Sequence, residues 1–293
     1  MKKAILLGAN GYLGRHIAYF LQQQNIAFIP TDIAEKSIDN HSNYQKIDIT
    51  KKEDLQKLEF NVDYVFVFAG LTGTSNARED EEKFTKVNEL GLKNIISCCQ
   101  NTKGLRIIFP STRLVYKGVE NTPLSEDSEK ETKSVYAKNK LNCEQLLEKS
   151  GIDYTIFRIC VPYANLFDEH YSYGTIGFFI NRAKANKNIS IYGDGSLKRT
   201  FTHVADICIV IIKGSLLKDT KNNVYNIGSN DVLSLLEVAN LVAAKYGVEV
   251  KYVDWPEEAL KIESGDTIFE DVKLKKVLNY RYQHSLKEWI AEI

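Results

Sequence analysis

Residues 4–14 read AILLGANGYLG, an apolar run that ends in three glycines spaced three apart. This pattern leaves the start of the chain little choice. It demands a buried strand, a tight turn and a helix whose free N–H groups and positive dipole end face the turn. A side chain at Gly8 or Gly11 would block the turn or the approach of a pyrophosphate, and Gly14 lets the helix pack on the sheet. The pattern therefore predicts a dinucleotide site, with Asn10, Tyr12 and Leu13 in the loop between the glycines. The next strand ends at Asp32, eighteen residues beyond Gly14. An acid there accepts hydrogen bonds from ribose hydroxyls and repels the extra phosphate of NADP. NAD is the expected cofactor, and the nearby Lys36 keeps NADP open as the lesser alternative.

Apolar runs alternate with amphipathic stretches through the first 160 residues. Strands are predicted at 3–8, 26–31, 44–47, 63–69, 105–110 and 153–159, and helices at 12–24, 51–58, 80–101 and 132–149. Several strands are almost wholly Val, Ile, Leu and Phe, as parallel strands covered on both faces are. The fold class is α/β, a Rossmann-type doubly wound parallel sheet. Beyond residue 160 the rhythm changes. An irregular, aromatic-rich stretch over 161–200 includes a helix near 176–187 and the turn Gly193-Asp194-Gly195. A helix near 204–218 and a strand near 224–228 return to the main sheet. A helix (234–246), a strand (248–253) and two short helices follow. The expected division is a dinucleotide-binding domain over 1–160 and about 204–230, with a smaller, discontinuous substrate lobe over about 161–203 and 231–293. The segment 117–134, polar and acidic, reads as a solvated loop or a flap over the substrate.

Composition removes several function classes. The 38 basic and 38 acidic residues balance, so no global charge draws the chain to nucleic acid. No apolar run reaches the roughly 18 residues of a membrane span. The five cysteines match no zinc or redox spacing and read as buried free thiols, which implies a reducing compartment, the cytoplasm, and no metal site.

The sequence SVYAKNK places Tyr136 and Lys140 four apart on one helix face. A phenol titrates near pH 10, but an adjacent ammonium stabilises the phenolate and makes proton transfer with a hydroxyl or ketone feasible. The predicted strand over 105–110 runs into Pro110-Ser111-Thr112. A hydroxyl at the carboxyl end of a parallel strand faces the ligand crevice.

With these residues in place, the chain resembles the extended short-chain dehydrogenases/reductases of the NAD-dependent epimerase/dehydratase family, which act on nucleotide sugars. The motifs run in order: GANGYLG at 8–14, Asp48-Ile49, Phe68-Ala69-Gly70, Asn88-x-x-Gly91-x-x-Asn94, STRLVY at 111–116, YAKNK at 136–140, GDGSLKRTFTHVADI at 193–207 and YNIGS at 225–229. The resemblance implies that Asp48 and Ile49 flank the adenine. Ala69 and Gly70 line the middle of the cofactor, Asn88 joins the cofactor set, and Lys140 also holds the nicotinamide ribose. It implies Thr112, Tyr136 and Lys140 as the catalytic residues. On the substrate side it implies Thr112, Arg113, Asn165 and Arg199, with Arg199 on the diphosphate. Asp206 reads as a structural anchor at a helix start.

The departures also inform. Sugar dehydratases of this family carry Asp-Glu directly after the catalytic threonine, whereas Arg113 and Leu114 stand here, which argues against 4,6-dehydration. The family's Arg-x-x-Asn is Arg158-Ile159-Cys160-Val161, and Asn165 is the nearest substitute for the missing asparagine. A late phosphate-binding arginine is replaced around Glu263-Ser264-Gly265-Asp266. The resemblance thus implies epimerisation of a nucleoside-diphosphate sugar at C4 through a 4-keto intermediate. A 4-keto-sugar reductase or dehydrogenase with exchangeable NAD(P)(H), and a non-catalytic NAD-binding protein, are the alternatives. It further implies a homodimer formed through helices 80–101 and 132–149.

Overall fold

A computed structural model of the chain describes residues 2–73, 80–167 and 174–293. In chain order its elements are β1 (Lys3–Leu7), α1 (Tyr12–Gln23), β2 (Ala27–Asp32), β3 (Gln45–Lys46), α2 (Lys52–Leu55), β4 (Tyr64–Val67), α3 (Glu81–Thr85), α4 (Gly91–Cys99) and β5 (Arg106–Thr112). Next come β6 (Pro123–Leu124), α5 (Val135–Glu148), β7 (Asp153–Ile159), β8 (Val161–Tyr163), α6 (Gly174–Lys184), β9 (Ile189–Tyr192), β10 (Lys198–His203) and α7 (Val204–Leu216). The chain closes with β11 (Asn223–Ile227), β12 (Asp231–Ser234), α8 (Leu235–Tyr246), β13 (Val250–Val253), α9 (Glu257–Lys261), β14 (Ile268–Phe269), α10 (Val272–Val277) and α11 (Leu286–Glu292).

The chain divides into two compact units, and the first comprises residues 1–115, 134–158 and 211–225. It is built on a seven-stranded sheet in the order β11-β7-β5-β4-β1-β2-β3, with every pairing from β5 to β3 parallel. Strand order reverses between β1 and β4, the switch point outside whose carboxyl ends ligands bind in open α/β sheets. β4 and β5 are buried along their whole length, as continuous apolar runs require. Ile5, Leu7, Val65, Val67 and Ile107 form one core with Leu92 and Ile95 of α4 and with Cys143 and Leu147 of α5.

Charges are buried in this unit too. Arg158 of β7 grips Glu144 of α5 with both ends of its fork, Nε to Oε1 at 3.0 Å and Nη2 to Oε2 at 2.6 Å. Their side chains are only 5% and 2% exposed, so each ion depends on the other. Arg106, at the start of β5, donates instead to the carbonyls of Ser215 and Leu217 and to Thr220 Oγ1.

The second unit comprises residues 116–133, 159–210 and 226–293. It contains a three-stranded sheet, β12-β10-β8, and the two-stranded pairs β13-β9 and β14-β6. Residues 116–133 are exposed at Lys117, Val119 to Pro123, Asp127, Glu129 and Lys133, and tied into the second unit at other positions. Tyr116, fully buried, donates to Asn226 Oδ1 at 2.7 Å, Gly118 N–H bonds the Ser264 carbonyl, and Leu124 pairs with Phe269. Glu126, 9% exposed, accepts from the Asn226 N–H. Gly118 is required here, because a Cβ would fall 2.1 Å from the Ser264 carbonyl oxygen. These bonds put the segment with the second unit, where the sequence had placed it in the first. Asp206 anchors the start of α7 by accepting from Tyr280 Oη and from the backbone of Gln283 and His284.

Several elements depart from the sequence expectations. The helix over 80–101 is α3 and α4 joined by a π-helical turn at Lys86–Leu90. The irregular stretch over 161–200 contains β8, β9 and part of β10, and its residues 168–173 lie outside those described. Three short helices, α9 to α11, stand where two were expected after β13. Among the described residues no helix is long and apolar enough to cross a membrane. The five cysteines are free thiols, four of them buried and Cys98 half-buried.

Breaking the Arg158–Glu144 pair from one side strands a buried charge. Glu144→Leu is expected to cost about 3–5 kcal/mol in urea unfolding. The double variant Glu144→Leu/Arg158→Met should recover most of that loss.

Candidate active site

The glycine turn has the shape its sequence predicts, for reasons that differ by residue. Gly8 has φ +89°, and a Cβ there would lie 2.3 Å from Ala69 N at the end of β4. Gly14 is needed because a Cβ would meet the Gly8 carbonyl oxygen at 1.9 Å, so the helix packs on its own turn. Gly11 is exposed and meets only that same oxygen, at 3.3 Å. It is the N-cap of α1, with extended backbone and no side-chain cap. An uncapped helix start behind a bare glycine is the cradle a pyrophosphate fits. Tyr12 and Leu13, in the first turn, are half-buried.

Asp32 closes this turn at the end of β2. Its Oδ2 accepts from the Asn10 N–H at 3.0 Å. Asn10 in turn donates to the Lys36 carbonyl and accepts from the Ile38 N–H, both at 2.9 Å. Asn10 thus shapes the ribose side of the site from within the glycine loop.

Other residues of the cofactor set serve the backbone in this structure. Asp48 Oδ1 accepts from Thr50 N and Thr50 Oγ1, which makes it a turn-former ahead of α2. Ile49 is pressed against Gly91, where a Cβ would sit 2.6 Å from its Cδ1. Asn88 lies in the π-helical turn. Its amide accepts from Leu71 N at 2.8 Å and donates to Leu71 O at 3.1 Å, so it holds the loop leaving β4 beside Ala69 and Gly70. A π-bulge is a frequent way to re-aim a side chain near a site.

Thr112, Tyr136 and Lys140 all belong to the first unit. Thr112 ends β5, is 8% exposed, and its Oγ1 accepts from Leu114 N. Ser134 caps α5 by accepting from Ala137 N, which sets Tyr136 in the first turn and Lys140 one turn on. Lys140 Nζ donates to the Pro110 carbonyl at 2.7 Å, two residues before Thr112. The same nitrogen lies 4.4 Å from the Phe109 ring centroid and 6.0 Å from that of Tyr136, which is half-buried. Burial lowers the Lys140 ammonium to about 8, against the opposing pull of Cys143 and Glu144. The neighbouring Ser111 hydroxyl is buried without a hydrogen-bond partner in the protein. Ser111 and Glu144 are not among the site residues that the sequence singles out. An acid one turn beyond Lys140 on a helix was the available signal for Glu144.

The remaining substrate-side residues are placed differently. Arg113 is half-buried in the 3₁₀ turn after β5. Asn165, in the second unit, accepts from Phe167 N in a local turn. Arg199, also in the second unit, is 3% exposed and already engaged. It donates to the carbonyls of Lys198 and Gly265, and to Glu263 Oε1 at 2.7 Å. A diphosphate at Arg199 would share the guanidinium with a carboxylate.

The chain is similar to several known proteins. A UDP-N-acetyl-alpha-D-glucosaminuronate decarboxylase of Bacillus cytotoxicus is 28% identical over 100% of this chain and 98% of its own. A UDP-glucose 4-epimerase of Mycoplasma genitalium is 24% identical over 99% and 94%. The structure of a Thermus thermophilus UDP-glucose 4-epimerase in complex with NAD superposes with a TM-score of 0.86 at 22% identity, covering 99% of this chain and 96% of that one. Residues 4–228 match the NAD dependent epimerase/dehydratase family, and the chain belongs to it.

Proposed function

We propose that the protein epimerises a nucleoside-diphosphate sugar at C4. One observation carries the reading: Tyr136 and Lys140 share a helix face, with Lys140 Nζ fixed on the Pro110 carbonyl, two residues before Thr112 on the same strand. The Lys140 ammonium, charged at neutral pH, favours the Tyr136 phenolate, which takes the proton from the C4 hydroxyl. Thr112 Oγ1 holds the same sugar oxygen, as hydroxyl and then as ketone, and Tyr136 returns the proton when the carbinol re-forms. When bound, NAD supplies a hydride acceptor that can give the hydride back to either face of the ketone. The glycine turn and Asp32 would hold its pyrophosphate and ribose, and Lys140 can also reach a ribose hydroxyl. Arg113 and Leu114 provide no acid–base pair for loss of water. Arg113, Asn165 and Arg199 are the residues proposed for the rest of the substrate, Arg199 for its diphosphate. The relatives named for UDP sugars support the substrate class.

The protein is also proposed to be a homodimer through α3–α4 and α5. These helices are already knit together, since Asn139 and Asn142 both donate to Glu89 Oε1. Leu90 beside them is exposed. A monomer by light scattering at micromolar concentration would refute the dimer.

The function is tested by denaturing purified protein, identifying the released nucleotide, and screening UDP-, dTDP-, GDP- and CDP-sugars with and without added cofactor. Epimerisation without added cofactor is expected, whereas stoichiometric consumption of NAD(P)H would show a reductase. Tyr136→Phe should lower kcat at least about a hundredfold with sugar-nucleotide binding retained. Unchanged turnover would sink the mechanism.

The lowered Lys140 sets a pH window. Its charged form predominates below about 8 and is lost above. kcat should therefore fall as pH rises through 8, and Lys140→Met should abolish that limb along with most activity. The stability effect runs the other way. Between about 8 and 10.5 the unfolded chain holds a proton that the folded chain has lost, so stability from this group rises with pH across that window.

A further inference from the structure

NAD and NADP differ only at one ribose hydroxyl, and the groups around the end of β2 decide between them. An acid there bonds the hydroxyl, while a nearby cation accommodates a 2′-phosphate. Arg15, Lys36 and Lys46 are the basic residues that flank the Asp32 loop. Lys46 is paired with Glu35 in solvent. Lys36 is exposed, where water screens its charge.

Arg15 is the cation suited to a phosphate. It follows Gly14 directly, in the second turn of α1, and is 17% exposed. Its fork is occupied by Asp39. Nε lies 3.1 and 3.0 Å from the two carboxylate oxygens, and Nη2 lies 2.7 Å from Oδ1. A bidentate pair of this kind is stronger and more directional than a surface ion pair. Asp39 is also held in place. Its neighbour Ile38 bonds Asn10 through its N–H, and Asn10 bonds Asp32 through its own. Tyr44 Oη closes the loop on the Ala34 carbonyl at 2.6 Å.

We propose that Asp39 is a cofactor-selectivity residue acting through Arg15: by neutralising that guanidinium it withholds the cation a 2′-phosphate needs, and so enforces NAD over NADP together with Asp32. A 2′-phosphate at this site would have to displace Asp39 from Arg15 and then lie between two carboxylates. NAD, with a hydroxyl there, leaves the pair intact. The proposal concerns the dinucleotide site alone and does not depend on which sugar reaction the protein performs.

The test is binding. Protein stripped of nucleotide is titrated with NADH and NADPH, following the fluorescence of the reduced nicotinamide. The comparison is wild type, Asp39→Asn, Asp39→Ser and Asp39→Asn/Arg15→Met, each checked for fold by circular dichroism. Asp39→Asn or Asp39→Ser is expected to tighten NADPH at least about tenfold and leave NADH within about twofold. The gain should vanish when Arg15 is also replaced. An unchanged NADPH affinity in both folded single variants overturns the proposal. So does a gain that survives without Arg15, or an equal shift for both nucleotides.

Discussion

The buried fork of Arg158 on Glu144 governs where the chemistry can sit, because it locks the helix that carries Tyr136 and Lys140 to the strand beside it. Glu144 is one turn beyond Lys140, and its charge opposes the loss of the Lys140 proton. A single carboxylate thus faces two buried cations. It matches Arg158 directly and compensates Lys140 only at a distance. The three charges sum to one positive, left near the phenol proposed to become a phenolate. Burial has the larger hand in the balance and lowers Lys140 to about 8, which keeps the ammonium predominant at neutral pH yet easily discharged.

The first unit was legible in the sequence because its elements report their own surroundings. Strands such as Tyr64–Val67 and Arg106–Thr112 are covered on both faces, and near-continuous apolar runs follow from that. The glycine turn was legible for the same local reason, since Gly8 and Gly14 answer to contacts inside the strand–turn–helix unit or with the next strand. In the second unit the helices Gly174–Lys184 and Leu235–Tyr246 and the strand Val250–Val253 were legible, but most of its strands were not. β10 reads KRTFTH and is buried along five of its six residues, yet its partners β8 and β12 are far away in sequence and nothing in the six letters announces them. Residues 116–133 misled for a like reason. The side chains of Tyr116 and Glu126 are matched by Asn226, and the Asn121 N–H by Asp266, about a hundred or more positions away.

Site residues divide along the same line. Motif positions were found where the family pattern marks them, but a motif does not say what a side chain is already bonded to. Asn88 holds Leu71, Asp48 holds Thr50, and Asn165 holds Phe167. The π-helical turn that aims Asn88 has no signature in the apolar periodicity of 80–101, which runs through it.

The guanidinium groups of Arg15, Arg158 and Arg199 each meet a carboxylate: Asp39, Glu144 and Glu263. Arg106, at the start of β5, donates through Nη1 to neutral oxygens alone, and its buried Nε has no hydrogen-bond partner. Lys140 is unlike the three paired arginines, since its direct bond is to a neutral carbonyl and its charge stays available to a developing anion. The pairing at Arg199 bears on substrate recognition. A guanidinium that already carries a carboxylate attracts a diphosphate less than a bare one, because the incoming anion must overcome Glu263 as well as its own hydration. If Arg199 holds the diphosphate as proposed, affinity for the substrate comes more from hydrogen bonding and shape around the nucleotide and sugar than from charge. That shifts discrimination away from the phosphates, which all nucleotide sugars share, toward the parts in which they differ.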